Sequence, residues 1–273
     1  MTDEKIGLIA GSGSFPLLFA AEAKKAGRRL FIVGLEGITQ RELEPYAEET
    51  AYFRLGQVSG PIDFLKSRGV KKTLMAGYVP HVSIFGGLIP DLRGARLLLK
   101  LRDKKAGSIF EALAEELNRD GIELVNSSTL LEHLLVKPGL TAGSAPAART
   151  LECAAFGWKA AKALAALDIG LTVVLRDHVV LAAEALEGTD ACIKRAGEIL
   201  SRLRLEGRKG PAMVVVKVAR PAQDMRFDLP VAGADTLVLE AGKTLIMGME
   251  EFLKAAAETG ITVFGAENER SFA

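Results

Sequence analysis

The sequence has few of the residues that usually announce a metal or redox site. Only two cysteines, three histidines and one tryptophan occur in 273 residues. Cys153 and Cys192 belong to no CxxC pattern and have no histidine near them, which excludes the usual structural zinc spacings and fits a reducing compartment. His81, His133 and His178 stand far apart and show no ligand spacing. Aromatic residues make up 6% of the chain and the net charge is +1, so neither base stacking nor a global positive field points to a nucleic-acid partner. Asp3 and Glu4 sit where a signal peptide would carry basic residues, and Gly11-Ser12-Gly13 splits the apolar stretch behind them. The longest run without Asp, Glu, Lys or Arg, Thr73 to Pro90, is broken by Gly77, Pro80, Gly86 and Gly87, so it does not read as a membrane span. These absences predict a cytoplasmic protein. No GxSxG, HExxH or Walker pattern occurs, which leaves serine-hydrolase, zincin and P-loop chemistry without support.

What is present is an ordinary globular composition, 49% apolar and 25% charged, in a chain long enough for two domains. Ile6 to Ala10 is a short apolar run that ends in Gly-Ser-Gly, as a buried parallel strand does. Pro16 to Lys25 reads as a helix, Arg29 to Gly34 and Leu74 to Val79 as strands. Leu92 to Asp103 and Ile109 to Asp120 read as helices, with a short strand at Ile122 to Val125. This alternation predicts βαβ units and a parallel sheet over residues 1–136. Residues 137–146, rich in Pro, Gly, Ser and Thr, read as a linker. Over residues 147–273, a helix (Ala147 to Leu167) precedes strands at Leu171 to Leu175 and Val179 to Ala183, with Arg176-Asp177-His178 as a hairpin turn between them. Further helices at Asp190 to Leu203 and Met249 to Thr259 alternate with strands, which predicts a second, mixed α/β domain.

Four stretches carry candidate chemistry. Gly11-Ser12-Gly13 lies between strand and helix, where backbone N–H groups can face an anion. A dinucleotide fingerprint needs a third glycine where this chain has Pro16, although Glu36 stands where a ribose-binding acid would, so a nicotinamide site and a plain tight turn both stay open. Leu92 to Lys105 interleaves leucines with Arg93, Arg96 and Lys100, a pattern that suits a core-packed helix or one lying on anionic lipid. Glu184 and Glu187 leave a strand just before Gly188 and Thr189, with Thr189 a natural N-cap. Open N–H groups there suit a phosphate, and the carboxylates a cation. Lys217 to Pro230 places Asp224, Arg226 and Asp228 on one face of an extended segment. Two hard carboxylates beside Lys217 and Arg226 suit a Mg²⁺-bridged diphosphate, and the same charges suit a protected edge strand.

Several phrases resemble one family. Leu167-Asp-Ile-Gly-Leu-Thr-Val-Val, Leu181-Ala-Ala-Glu-Ala-Leu-Glu-Gly-Thr-Asp190 and Gln223-Asp-Met-Arg-Phe-Asp-Leu-Pro230 are similar to the UDP-2,3-diacylglucosamine pyrophosphatases of the lipid A pathway. Gly7 to Pro16 and Met75-Ala-Gly-Tyr-Val79 are similar to them as well. The resemblance implies two α/β domains, the first Rossmann-like, with a lipid-linked nucleotide sugar held between them. It implies Mg²⁺-assisted hydrolysis to UMP and 2,3-diacylglucosamine 1-phosphate, with Asp224 matching the acid important for catalysis. The candidate set is then Asp224, Lys217 and Arg226 for catalysis, and Gly11, Ser12, Gly13, Gly77, Gly188 and Thr189 for substrate. Asp224, Asp228 and Asp190 are the candidates for metal. Contact with the inner-membrane surface follows from the diacylated substrate, and a homo-oligomer stays open. Lys104-Lys105-Ala106-Gly107-Ser108 departs from the family's usual Gly-Asp-Asp or Lys-Asp-Asp, which keeps a non-catalytic nucleotide-sugar or lipid-binding protein as the alternative.

Overall fold

The computed structural model describes residues 4–79, 89–100, 106–203, 212–219, 225–227 and 235–273, without side chains at 106–108 and 225–227. Two compact units divide the chain, Met1–Glu132 and His133–Ala273.

In the first unit, β1 (Lys5–Ala10), β2 (Arg29–Leu35), β3 (Glu49–Phe53), β4 (Lys72–Ala76) and β5 (Glu123–Leu124) form one sheet in the order β3-β2-β1-β4-β5. Every described pairing in it is parallel. The order reverses between β1 and β4, the topological switch point of a doubly wound fold. Alternate side chains of β1 and β2 face opposite layers. Phe31 and Val33 pack with helices α2 (Ser59–Ser67), α3 (Leu92–Lys100) and α4 (Ala106–Arg119) through Ile62, Leu65, Leu97 and Leu117. Helix α1 (Ser14–Lys25) buries Phe15 and Phe19 and packs against β2 and β4.

One carboxylate anchors two helix starts here. Asp91 Oδ2 accepts the N–H groups of Val58 (3.0 Å) and Ser59 (2.7 Å) at the start of α2, and Oδ1 accepts that of Gly94 (2.7 Å) in α3. Burial alone would raise its pKa, but the N–H groups of Gly94, Ser59 and Val58 outweigh it and hold the carboxyl below the usual aspartate value. Each lost cap costs about 1 kcal/mol, so Asp91→Ala is expected to destabilise the chain by about 2 kcal/mol in urea unfolding. Because the native pKa is lowered, this contribution is complete above about pH 4 and disappears as the pH falls through that native value. A difference between wild type and variant that persists unchanged into strong acid would contradict it.

The second unit holds a six-stranded mixed sheet in the order β6-β13-β11-β9-β7-β8, where β6 is Gly139–Ala142, β7 Thr172–Arg176, β8 Val179–Ala183, β9 Met213–Lys217, β11 Thr236–Glu240 and β13 Thr262–Ala266. Strands β9, β11 and β13 run parallel, while β7, β8 and β6 run antiparallel to their neighbours. β10 (Met225–Phe227) and β12 (Thr244–Ile246) pair separately and in parallel. Helix α5 (Ala148–Ala166) covers one face through Ala154, Trp158 and Ala161 against Val173, Val214 and Val216. Helices α6 (Thr189–Arg202) and α7 (Met249–Thr259) cover the other, with Ile193, Leu200 and Phe252 against Val174, Val215 and Leu237.

The expected two-domain α/β architecture is present, and the expected hairpin closes through Asp177 and His178 at φ 50° and 65°. The linker expectation needs correction. Gly139–Ala142, inside residues 137–146, is edge strand β6, bonded to β13. Leu135 bridges to Leu245, so the second unit begins before that segment. A short uncharged Gly-Thr stretch has a loop's composition, and only a partner some 120 residues later makes it a strand.

Candidate functional site

Parallel strands gather their C-terminal ends at one edge of a sheet, where ligands of open α/β folds bind. In the second unit that edge collects the ends of β9, β11 and β13, together with the start of β7 and the end of β8. Lys217 is the last residue of β9, opposite Thr172 and Leu239 in register. It is two residues beyond Val215, so its side chain rises on the α6 face, and it is only 8% exposed.

Its Nζ lies 2.5 Å from Thr189 Oγ1. Thr189 Oγ1 also donates to Glu184 Oε1 at 3.2 Å and lies 3.3 Å from Thr172 Oγ1. The other Glu184 oxygen accepts the N–H of Leu171 at 3.3 Å. Thr189 was expected as the N-cap of α6. Instead Gly188, at φ 84°, takes the cap position and Thr189 opens the helix. The left-handed turn at Gly188 leaves the threonine hydroxyl to Lys217 and Glu184. Burial pulls the Lys217 pKa below the ordinary lysine value, while the charges of Glu184, Asp190 and Cys192 push it back. The result is a desolvated ammonium beside a helix N-terminus, two positive features at one sheet edge, suited to an anion.

On the α5 face the same edge carries Glu240, a buried carboxylate bonded to Lys162, Lys243 and the N–H of Ala219. Sequence reasoning missed this group. Lys162 and Glu240 are 78 positions apart, and neither belongs to a recognisable motif.

In the first unit the glycines lie where two loops approach closely. Gly11 N–H donates to Ala76 O (2.7 Å), Ser12 N–H donates to Tyr78 O (2.9 Å), and Tyr78 N–H donates back to Ser12 O (2.9 Å). The Ser12 hydroxyl also donates to Tyr78 O. The two loops at the switch point are therefore zipped to each other. A Cβ on Gly11 would lie 2.7 Å from Tyr78 O, and one on Gly77, at φ 112°, would lie 2.5 Å from Gly11 Cα. This accounts for both glycines by close backbone approach and engages two of the three N–H groups read as anion donors. Gly13, at φ 96°, caps α1. Glu36, read as a ribose-binding acid, faces Arg54 at 3.4 Å.

Two family models match the chain, the LpxI N-terminal domain over residues 5–134 and the LpxI C-terminal domain over residues 137–264. The chain belongs to the LpxI family. A relative named UDP-2,3-diacylglucosamine pyrophosphatase LpxI, from Caulobacter vibrioides, is 28% identical over 279 residues, covering 96% of this chain and 98% of the relative. Among solved structures the chain is similar to N5-carboxyaminoimidazole ribonucleotide synthetase from Thermotoga maritima, with 16% identity, 67% of this chain, 42% of that chain and a TM-score of 0.27. It is also similar to the biotin carboxylase subunit of pyruvate carboxylase, with 12% identity, 77% of this chain, 42% of that chain and a TM-score of 0.28. Superpositions this loose bear on neither fold nor chemistry.

The LpxI resemblance directs attention to Asp224 and Asp228, which lie outside the described residues. Arg226 is on β10, in register with Leu245, and its side chain lies outside the description. Asp190 is exposed in the first turn of α6. Among the described residues no three His, Cys, Asp or Glu side chains gather as a metal-binding set. Glu184, the nearest carboxylate to Lys217 and Thr189 in the network, is bonded to protein donors. The described part of this edge thus fits an anion and does not by itself fit Mg²⁺. Both cysteines are buried, and burial raises both thiol pKa values, that of Cys192 to about 11, so neither is an activated nucleophile.

Proposed function

We propose that this LpxI-family chain hydrolyses the diphosphate of UDP-2,3-diacylglucosamine, releasing UMP and 2,3-diacylglucosamine 1-phosphate. The observation that carries the proposal is the end-to-end match to the Caulobacter relative that bears this activity in its name. The sheet edge with Lys217, Thr189 and the α6 N-terminus adds chemistry suited to a diphosphate. Negative charge grows on the leaving phosphate oxygens as the bond breaks, and a desolvated ammonium already fixed in place stabilises it without reorganisation. Asp224 is the proposed catalytic carboxylate, orienting the water or holding a cation, and Arg226 a phosphate contact, both from the family resemblance. Mg²⁺ belongs to the proposal through Asp224, Asp228 and Asp190. Bound there, it would neutralise diphosphate charge.

Incubating the full chain with UDP-2,3-diacylglucosamine and Mg²⁺ is expected to release UMP in step with substrate loss. Saturable binding of the lipid nucleotide without UMP would favour the non-catalytic binding protein instead. A melting temperature that rises with Mg²⁺ in wild type and not in Asp224→Ala would support the ion independently of turnover.

The proposal includes contact with an anionic membrane surface through α3. Among the described residues no helix is long and apolar enough to cross a membrane. On α3, however, Leu92 and Leu99 are 71% and 85% exposed, with Arg96 and Lys100 exposed beside them. Arg93 does not belong to this face. It pairs with Glu116 at 2.6 Å and Asp120 at 2.7 Å on the α4 side. Each basic residue at an anionic surface contributes about 1 kcal/mol, so reversing Arg96 and Lys100 to Glu is expected to weaken binding to phosphatidylglycerol vesicles by at least about tenfold. Equal sedimentation of the reversed variant would remove this role. Arg93→Glu should instead lower the melting temperature.

A further inference from the structure

We infer that Glu240 is a positioning residue for Lys217, acting through the backbone of Ala219. The inference rests on the proposed role of Lys217 at the diphosphate.

The register of β9 with β11 ends at Lys217 opposite Leu239, and its register with β7 ends at Thr172 opposite Lys217. Val218 and Ala219 lie beyond both ladders yet are fully buried. Their N–H groups therefore need acceptors that the regular sheet no longer supplies. Val218 N–H finds Leu171 O at 2.9 Å. Ala219 N–H finds a side chain, Glu240 Oε2, at 2.8 Å. Glu240 stands where a further rung of the β9–β11 ladder would be, and its carboxylate takes the place of the missing carbonyl.

The carboxylate is itself firmly held. It is 2% exposed, Lys162 Nζ lies 2.9 Å from each of its oxygens, and Lys243 Nζ lies 3.0 Å from Oε1. Lys162 sits 5.5 Å from the Trp158 ring centroid on α5. Two ammonium groups around one buried carboxylate are a costly way to add stability, since an apolar replacement of such a cluster is often neutral. The one task here that an apolar side chain cannot perform is accepting the Ala219 N–H. Side chains alternate along β9 and β11, so Glu240 works on the α5 face while Lys217 emerges on the α6 face. The strand end is thus gripped from one face and presents its ammonium to Thr189 on the other.

Three variants of the full chain test this: Glu240→Gln, which keeps an acceptor oxygen, Glu240→Met, which has none, and Lys162→Met, which weakens the ion pair but keeps the acceptor. UMP release is expected to stay within about threefold of wild type in Glu240→Gln and Lys162→Met, while kcat falls about thirtyfold in Glu240→Met with KM little changed. Amide exchange in the peptide spanning Lys217 to Ala219 should quicken in Glu240→Met alone. Wild-type kcat in a folded Glu240→Met protein would overturn the inference. So would a kcat more than tenfold down in Glu240→Gln while exchange stays slow, an outcome readable even if Glu240→Met does not fold. A wild type that releases no UMP counts against the proposed activity, whereas the exchange measurement reports on Glu240 regardless.

Discussion

Asp224→Ala is expected to lower UMP release by about 10³-fold or more while the protein stays folded and still retains the lipid substrate. Hydrolysis at phosphorus develops charge on the attacking and the leaving oxygen together, and a carboxylate that orients the water or holds a cation acts most strongly in that transition state. Losing such a group costs several kcal/mol of activation free energy, about 4 kcal/mol for a thousandfold effect. The acyl chains and the nucleotide still supply binding energy, so KM should change far less than kcat. Asp224 follows Pro221 in the phrase Gln223-Asp-Met-Arg-Phe-Asp-Leu-Pro230, and the segment leads directly into β10, which pairs with β12. An Asp in an exposed, charged edge segment with no chemical role behaves otherwise. Its replacement by Ala changes stability by less than about 0.5 kcal/mol and leaves the rate alone. Steady-state UMP release with a melting curve on the same preparation separates the two, and wild-type turnover would end the assignment.

The parts of the molecule that local pattern controls were legible in the sequence, and those that depend on register were not. Apolar runs ending in glycine located β1 and β2, and the polar tripeptide between Leu175 and Val179 located a turn whose two central residues do adopt positive φ. Glu49 to Phe53 carries strand-favouring Thr50, Tyr52 and Phe53, but without a run of buried apolar residues it did not stand out in the sequence. Pairing with β2 makes it β3. Gly11 and Gly77 were both singled out, but as ligand contacts. Their backbone-to-backbone approach appears only when β1 and β4 lie side by side. At the candidate site, Glu184, Thr189 and Lys217 were noticed in two separate phrases. What joins them is the antiparallel register that sets Thr172 opposite Lys217 and the hairpin that returns Glu184 beside Thr172. Glu240 and Lys162 left no trace, since a buried carboxylate at a strand end reads as one more polar residue after Thr236-Leu-Val-Leu.

Lys217→Met should separate function from stability in the opposite sense to most core substitutions. Turnover is expected to fall by about 10²–10³-fold, the usual cost of removing one preorganised charge donor from a water-poor site. Stability is expected to hold or to rise. Methionine fills a similar volume, and burial outweighs the nearby charges of Glu184 and Asp190 in lowering the Lys217 pKa, so at neutral pH the variant is spared a net desolvation cost. The lowered native pKa of Lys217 fixes the sign. The unfolded chain binds the proton more tightly, so the burial cost is present at neutral pH and fades as the pH rises toward the ordinary lysine value of about 10.4. The melting-temperature advantage of the methionine variant should therefore shrink in alkali. The same shift predicts that wild-type turnover declines on the alkaline side earlier than an unperturbed lysine would dictate, because the charged form is the active one. Arg at this position keeps the charge, but its planar fork does not fit the buried point contact with Thr189, so Lys217→Arg should restore little activity. A methionine variant that loses stability and turnover in proportion would make Lys217 a structural residue. One that keeps wild-type turnover would remove it from the diphosphate altogether.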